Sequence, residues 1–221
     1  MKSIILIRHG YSEYQVKGLT SGWTDTDLTE LGHRQIACLA SRLKHEVADI
    51  PCQIYCSDLK RALQTTEIIG KELELTRNLV PELREINNGI AANKTEEEAR
   101  QYALERTEPF LDWQPYPQAE TWRQFYLRVS SYMGHLTKNQ ECLLLLVTHG
   151  GTINAIVTWW LQLEIDLLST PSSLFKVYFE ASLASITVLR VNQWNEHTIE
   201  KLNDTAHLYA AGLSDRIQLY P

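Results

Sequence analysis

The 221-residue chain has no apolar run long enough to cross a bilayer, so a helical membrane span is not expected. It also lacks a basic excess. Lysine and arginine number 21 against 27 aspartates and glutamates, for a formal net charge of −6. A broad nucleic-acid-binding surface needs the opposite sign, so nucleic acid is not an expected partner, although a small cationic pocket is still compatible. Cysteine is scarce: Cys38, Cys52, Cys56 and Cys142 form no CxxC pair and no Cys/His set with zinc spacing. Met1-Lys2 leads straight into apolar sequence without a signal-peptide pattern, and with scattered thiols this gives an expectation of reduced cysteines in the cytoplasm. Serine-hydrolase, P-loop and HExxH patterns are absent, as are repeats, low-complexity segments and long charge runs. With 44% hydrophobic and 22% charged residues, the composition is that of a globular protein of one large domain, or of a domain with an inserted lobe.

What is present is organised around Ile4-Ile5-Leu6-Ile7-Arg8-His9-Gly10. Four apolar, mostly β-branched residues predict a short buried strand. An arginine, a histidine and a glycine follow at its carboxyl end, where open α/β sheets bind their ligands. Imidazole can act there as nucleophile or base, and a guanidinium can hold an anion by a two-point fork. A loop over Tyr11–Leu28 precedes an amphipathic helix of about residues 30–48, with Thr29 as its N-cap and Ile36, Leu39, Ala40, Leu43 and Val47 on one face. Gln53–Cys56 reads as a second buried strand, with Ser57 capping a helix of about 58–74. This β-α-β-α opening predicts a sheet covered on both faces.

Between Thr76 and about Glu141 no good buried strand is seen. Helical patches near 95–107 and 121–138 flank Pro109, Pro115 and Pro117, which suggests a helical insertion of about 86–140 within a single domain, 1–221. Leu143–Val147 is the most apolar strand. Thr148-His149-Gly150-Gly151 then opens a helix of about 151–163. Phe175–Glu180, Ala184–Val191 and a short stretch near Thr198–Leu202 are further strand candidates.

Three strands thus end in groups suited to phosphate: Arg8 and His9, then Arg61 in the first turn of its helix, then His149. A cation near the positive end of a helix dipole is disfavoured unless an anion lies close. Gly150 and Gly151 at a helix start offer backbone N–H groups to an oxyanion. A carboxylic acid is needed to protonate a leaving oxygen, and Glu82, Glu85 and Glu120 are candidates. Asp25-Thr26-Asp27-Leu28-Thr29 fits the DxDxT pattern of metal-dependent haloacid dehalogenase-like phosphatases. That chemistry needs the first aspartate at the end of a buried strand, and here a loop-like Ser21-Gly22-Trp23-Thr24 precedes it. His33, His45, His135, His197 and His207 lack such a setting and read as surface or structural residues.

Taken in order and at these separations, the motifs resemble those of the histidine phosphatase superfamily, the phosphoglycerate mutase-like proteins. Arg8-His9-Gly10, Gly22 through Gly32, Ser57-Asp58-Leu59-Lys60-Arg61-Ala62-Leu63-Gln64-Thr65, Leu83-Arg84-Glu85 and Thr148-His149-Gly150-Gly151 carry the likeness. The resemblance implies a three-layer αβα sandwich with a mostly parallel central sheet and no need of a metal or other cofactor. It implies His9 as the nucleophile that forms a phosphohistidine, Glu85 as the acid, and Arg8, Arg61 and His149 as charge stabilisers. Gln15, Ser21, Gly22 and Gly150 complete the expected phosphate-binding set.

Tyr14-Gln15 stand where the family often has tryptophan-asparagine. Asn87-Asn88-Gly89 and Gly150-Gly151-Thr152 depart from the mutase patterns and favour a phosphatase acting on a small phosphate ester. Mutase-type phosphoryl transfer and a non-catalytic phosphate-binding module of the same fold are the alternatives. Trp113, Tyr116, Trp122 and Tyr126 can face the organic part of a substrate or form the insertion's own core. The identity of the ester and the oligomeric state are not legible in the sequence.

Overall fold

Four consecutive apolar residues, Ile4 to Ile7, make β1, Ser3–Arg8, two-sided, because successive side chains of a strand point to opposite faces. Ile4 and Leu6 face one layer of helices and Ile5 and Ile7 the other. Burial of each such side chain contributes about 1.5–3 kcal/mol, so β1 holds both layers to the sheet. The computed structural model describes residues 3–138, 140–165 and 177–213. In it β1 joins β2 (Cys52–Cys56), β3 (Arg77–Leu79), β4 (Leu143–Thr148), β5 (Ile186–Val191) and β6 (His197–Asp204) in one sheet of order β3-β2-β4-β1-β5-β6. The pairs β1–β4, β2–β4 and β2–β3 are parallel, whereas β5 and β6 run antiparallel at one edge.

The described residues also form the helices α1 (Glu13–Val16), α2 (Glu30–Glu46), α3 (Lys60–Leu73), α4 (Glu96–Arg100), α5 (Trp122–Leu136), α6 (Gly150–Trp160) and α7 (Ala206–Ala210). Ile36, Leu39 and Leu43 of α2, Ala62 and Ile69 of α3 and Leu208 of α7 pack on one face of the sheet. Phe125, Val129 and Met133 of α5 and Ile153, Ile156 and Trp160 of α6 pack on the other. This is the expected three-layer α/β arrangement with a mostly parallel sheet.

Several local expectations are corrected. The helix expected from residue 58 begins at Lys60 with Leu59 as N-cap, because Ser57 Oγ accepts Leu59 N–H at 3.3 Å and holds the chain extended there. The helical patch of 95–107 contracts to α4, since Thr95 and Glu98 form a capping box but few apolar side chains beyond Ala99 find a core. The edge strand β3 escapes an apolar pattern search because all three of its residues are exposed. In the Phe175–Glu180 candidate, residues 177–180 form no strand, and the earlier part lies outside the described residues. The Asn154 side chain bonds the Phe179 backbone, and Val177 and Tyr178 are exposed rather than paired. Among the described residues no helix is long and apolar enough to cross a membrane.

Register brings the strand ends together. Arg8 pairs with Thr148 and Cys56 with Val147, so the residues following β1, β2 and β4 emerge at one level along the carboxyl edge of the sheet.

Candidate active site

His9 follows β1 and is buried. Its Nδ1 lies 2.7 Å from the Gly10 carbonyl oxygen, an acceptor only, so Nδ1 carries the proton and donates it. Nε2 therefore bears the lone pair, and it accepts the Nε–H of Arg61 at 3.2 Å. Burial, and after it the charges of Arg61 and Arg8, hold the imidazole well below its ordinary pKa. The neutral ring is the form a nucleophile needs.

Arg61 is the second residue of α3 and fully buried. Asp25 Oδ1 caps that helix from outside by accepting Lys60 N–H at 2.7 Å. The Arg61 guanidinium donates to the Thr24 carbonyl at 2.6 Å and the Gly22 carbonyl at 2.8 Å, and lies over the Tyr14 ring. Among the described residues no carboxylate comes within ion-pair distance of it. Burial pulls its pKa below the ordinary value. Arg8 Nη1 donates to the Ala181 carbonyl, whereas its Nε is buried with no partner among the described residues. Gly150 lies against the Arg8 guanidinium. Removing a guanidinium from water without a counter-ion costs several kcal/mol, and Arg61 is fully buried in this way.

His149, the N-cap of α6, packs its ring 5.2 Å from that of His9. Its Nε2 meets Ser57 Oγ at 2.8 Å, and its Nδ1 is buried with no partner among the described residues. Burial, then Arg61, holds this imidazole well below its ordinary pKa as well.

Glu85 comes into the same space. Its Oε2 accepts Gly151 N–H at 2.9 Å, at the start of α6, and its Oε1 accepts Ile86 N–H at 2.9 Å. A Cβ at position 151 would collide with this carboxylate, which explains a glycine there. The other two acids stand elsewhere. Glu82 is exposed on the short helix Pro81–Leu83, and Glu120 is paired with Arg128.

Three expected phosphate ligands have other partners. Gln15 Oε1 caps α1 by accepting Ser12 N–H at 3.0 Å. Ser21 turns its carbonyl to Asn88 Nδ2 at 2.9 Å. Gly22, with φ +66°, directs its carbonyl to Arg61, and any side chain there would strike Asn88. These residues shape the loop that aims Arg61. Asp25, the alternative DxDxT residue, is a helix cap in a loop, away from any strand end.

Sequence reasoning missed Arg128. It forks onto Glu120 at 2.7 and 2.8 Å and also donates to the carbonyls of Glu82, Arg84 and Glu85 at 2.7, 3.2 and 3.1 Å. It thereby pins the segment that carries Glu85. Trp23 Nε1 bonds the same Glu85 carbonyl at 2.8 Å, and Arg84 lies over its ring while forking onto Asp58. Among the described residues no three His, Cys, Asp or Glu side chains come together as metal ligands.

A family model described as "Histidine phosphatase superfamily (branch 1)" matches residues 4–205. The chain belongs to the histidine phosphatase superfamily. An adenosylcobalamin/alpha-ribazole phosphatase of Salmonella typhimurium is 32% identical over 160 residues, 69% of this chain and 76% of the relative. A metal-independent phosphoserine phosphatase of Arabidopsis thaliana is 28% identical over 221 residues, 96% and 86% of the two chains. The crystal structure of an Entamoeba histolytica phosphoserine phosphatase in complex with 3-phosphoglyceric acid superposes with a TM-score of 0.73 at 26% identity, covering 94% of this chain and all of that one (100%).

Proposed function

We propose that this member of the superfamily is a metal-independent phosphatase that hydrolyses a phosphomonoester through a phosphohistidine on His9. The observation that carries the reading is the pair of guanidiniums, Arg8 and Arg61, held beside a tautomer-locked His9 without a carboxylate partner among the described residues. A phosphate dianion supplies the missing counter-charge. It is also a stronger acceptor for Arg61 Nε–H than a neutral imidazole, so its arrival uncovers the Nε2 lone pair.

In the first step Nε2 forms a bond to phosphorus as the ester P–O bond breaks, and the departing alcohol oxygen takes its proton from Glu85. Arg8, Arg61 and His149 meet the equatorial oxygens. With the Ser57 hydroxyl donating to His149 Nε2, the buried Nδ1 carries a proton for that purpose. In the second step Glu85 takes a proton from water, the hydroxyl bonds to phosphorus, and the N–P bond breaks to release orthophosphate. The chain is read as one domain in which the insertion of about 86–140 supplies part of the site's outer wall, supported by Asn88 on the Gly22 loop and Arg128 on the Glu85 segment.

The test is hydrolysis of p-nitrophenyl phosphate by wild type and His9→Ala, each with and without EDTA. Turnover that survives EDTA and vanishes with His9 is expected. Activity lost to EDTA and retained in His9→Ala would overturn the reading. Phosphoryl return to a phosphoglycerate faster than release to water would move the assignment to a mutase.

A further inference from the structure

A narrow apolar cavity of about 40 Å³ lies beside the acid. Trp122, Phe125 and Tyr126 of α5 form one wall, and Val177 and Tyr178 form another. Gly151 is part of its lining, and the Gly151 N–H is the group bonded to Glu85 Oε2. Tyr178 feels the charges of both Glu85 and Arg8. The cavity therefore lies next to the carboxylate read above as the proton donor, joined to it through Gly151.

The lining settles what kind of group the cavity suits. No lysine, arginine or histidine is among the described residues that line it. The amide of Asn154 is spent at both ends on the Phe179 backbone, donating at 2.6 Å and accepting at 2.8 Å. A carboxylate entering here would give up its hydration and meet no counter-ion among the described lining residues. An apolar group would cover Val177 and Tyr178, which are 46% and 56% exposed at the mouth. The space is small against the roughly 150 Å³ that accepts a benzene ring, so it suits a slim chain or the edge of a ring.

We propose that this cavity is the leaving-group subsite and that it selects phosphate esters of uncharged, apolar alcohols over carboxylated esters such as phosphoserine and phosphoglycerate. The inference rests on the phosphatase reading above and gives that activity its substrate class.

The experiment measures kcat/KM for straight-chain alkyl phosphates from methyl to hexyl, for phosphoserine and for 3-phosphoglycerate. Enzymes compared are wild type, Tyr178→Ala and Val177→Lys. The unsubstituted alkyl alcohols leave with nearly equal difficulty, so the series varies burial and little else. Each of the first few methylenes should raise kcat/KM by about fourfold, the factor one buried CH₂ contributes, with levelling off once the cavity is full. Tyr178→Ala should shrink the gain per methylene. Val177→Lys, at an exposed position, should shift the preference toward phosphoserine. Wild-type kcat/KM for both carboxylated esters should lie at least about tenfold below butyl phosphate, the scale of discrimination a few methylenes provide.

A flat alkyl series, or carboxylated esters turned over as well as butyl phosphate, would overturn the proposal while His9-dependent turnover leaves the phosphatase reading standing. Absence of His9-dependent turnover on every ester would sink both.

Discussion

Arginines on the walls of the molecule and arginines at its centre are treated differently. Arg84 forks onto Asp58, Arg128 onto Glu120, and Arg42 reaches Glu46 and Asp204. Arg61 and Arg8, which are closer to the sheet's carboxyl edge, donate to carbonyls and to a histidine instead. The carboxylates divide in the same way: Asp58 and Glu120 sit on guanidiniums, whereas Glu85 rests on two backbone N–H groups. Charge is neutralised where the fold has to be held. Around Arg8 and Arg61 no carboxylate pairs among the described residues, and that difference sets the candidate site apart more sharply than any single motif.

The difference can be tested from several directions. Glu85→Gln should cost the most, up to about four orders of magnitude in kcat on alkyl esters, and far less on p-nitrophenyl phosphate, whose leaving group needs little protonation. Equal losses on both esters would remove Glu85 from the acid's role. Arg61→Ala should lower kcat about 10²- to 10³-fold through lost transition-state stabilisation. Its cost in stability should stay small, because removal of an unpaired buried charge offsets the donor lost by the Thr24 and Gly22 carbonyls. Chemical denaturation and steady-state kinetics on the same preparation would check both.

Arg128→Ala should cost more in stability, losing about 1–3 kcal/mol of unfolding free energy because Glu120 and three carbonyls lose their donor. Solvent reaches the pair, which is 19% and 17% exposed, and keeps the effect modest. The last test is of pH. His9 and His149 are both depressed in the folded state, so below about pH 6.5 the unfolded chain takes up protons that the native site refuses. Stability contributed above that pH is lost as pH falls toward the folded pKa values, by at most about 1.4 kcal/mol per pH unit for each histidine. His149→Gln should flatten the slope in urea melts between pH 6.5 and 5.

Arg8, His9, Arg61 and His149 were legible in the sequence because each lies within a few residues of a strand end, and strand ends can be read from apolar runs. Glu85 was legible only through family likeness. It stands after a three-residue exposed strand and a single turn, neither of which has a periodic pattern. Arg128 was hidden because its partners lie 8 and 43 to 46 residues away, and only tertiary packing joins them. Gln15 and Ser21 are expected to hold phosphate, and the sequence did not show that Gln15 Oε1 also caps α1 and that the Ser21 carbonyl also clamps Asn88. Val177 and Tyr178 look like strand residues by type, yet they are exposed beside the apolar cavity. A β-propensity pattern cannot distinguish a pairing residue from one that lines a pocket.

The central claim is a covalent bond from His9 Nε2 to phosphorus. The most direct measurement is a rapid quench in alkali of wild-type protein and His9→Ala mixed with a turned-over ester, followed by intact-mass and peptide analysis. The account predicts one added phosphoryl group on the wild type, located on His9, stable in alkali and lost in acid, and none on His9→Ala. A phosphoryl group on another residue, or full turnover by His9→Ala, would contradict it.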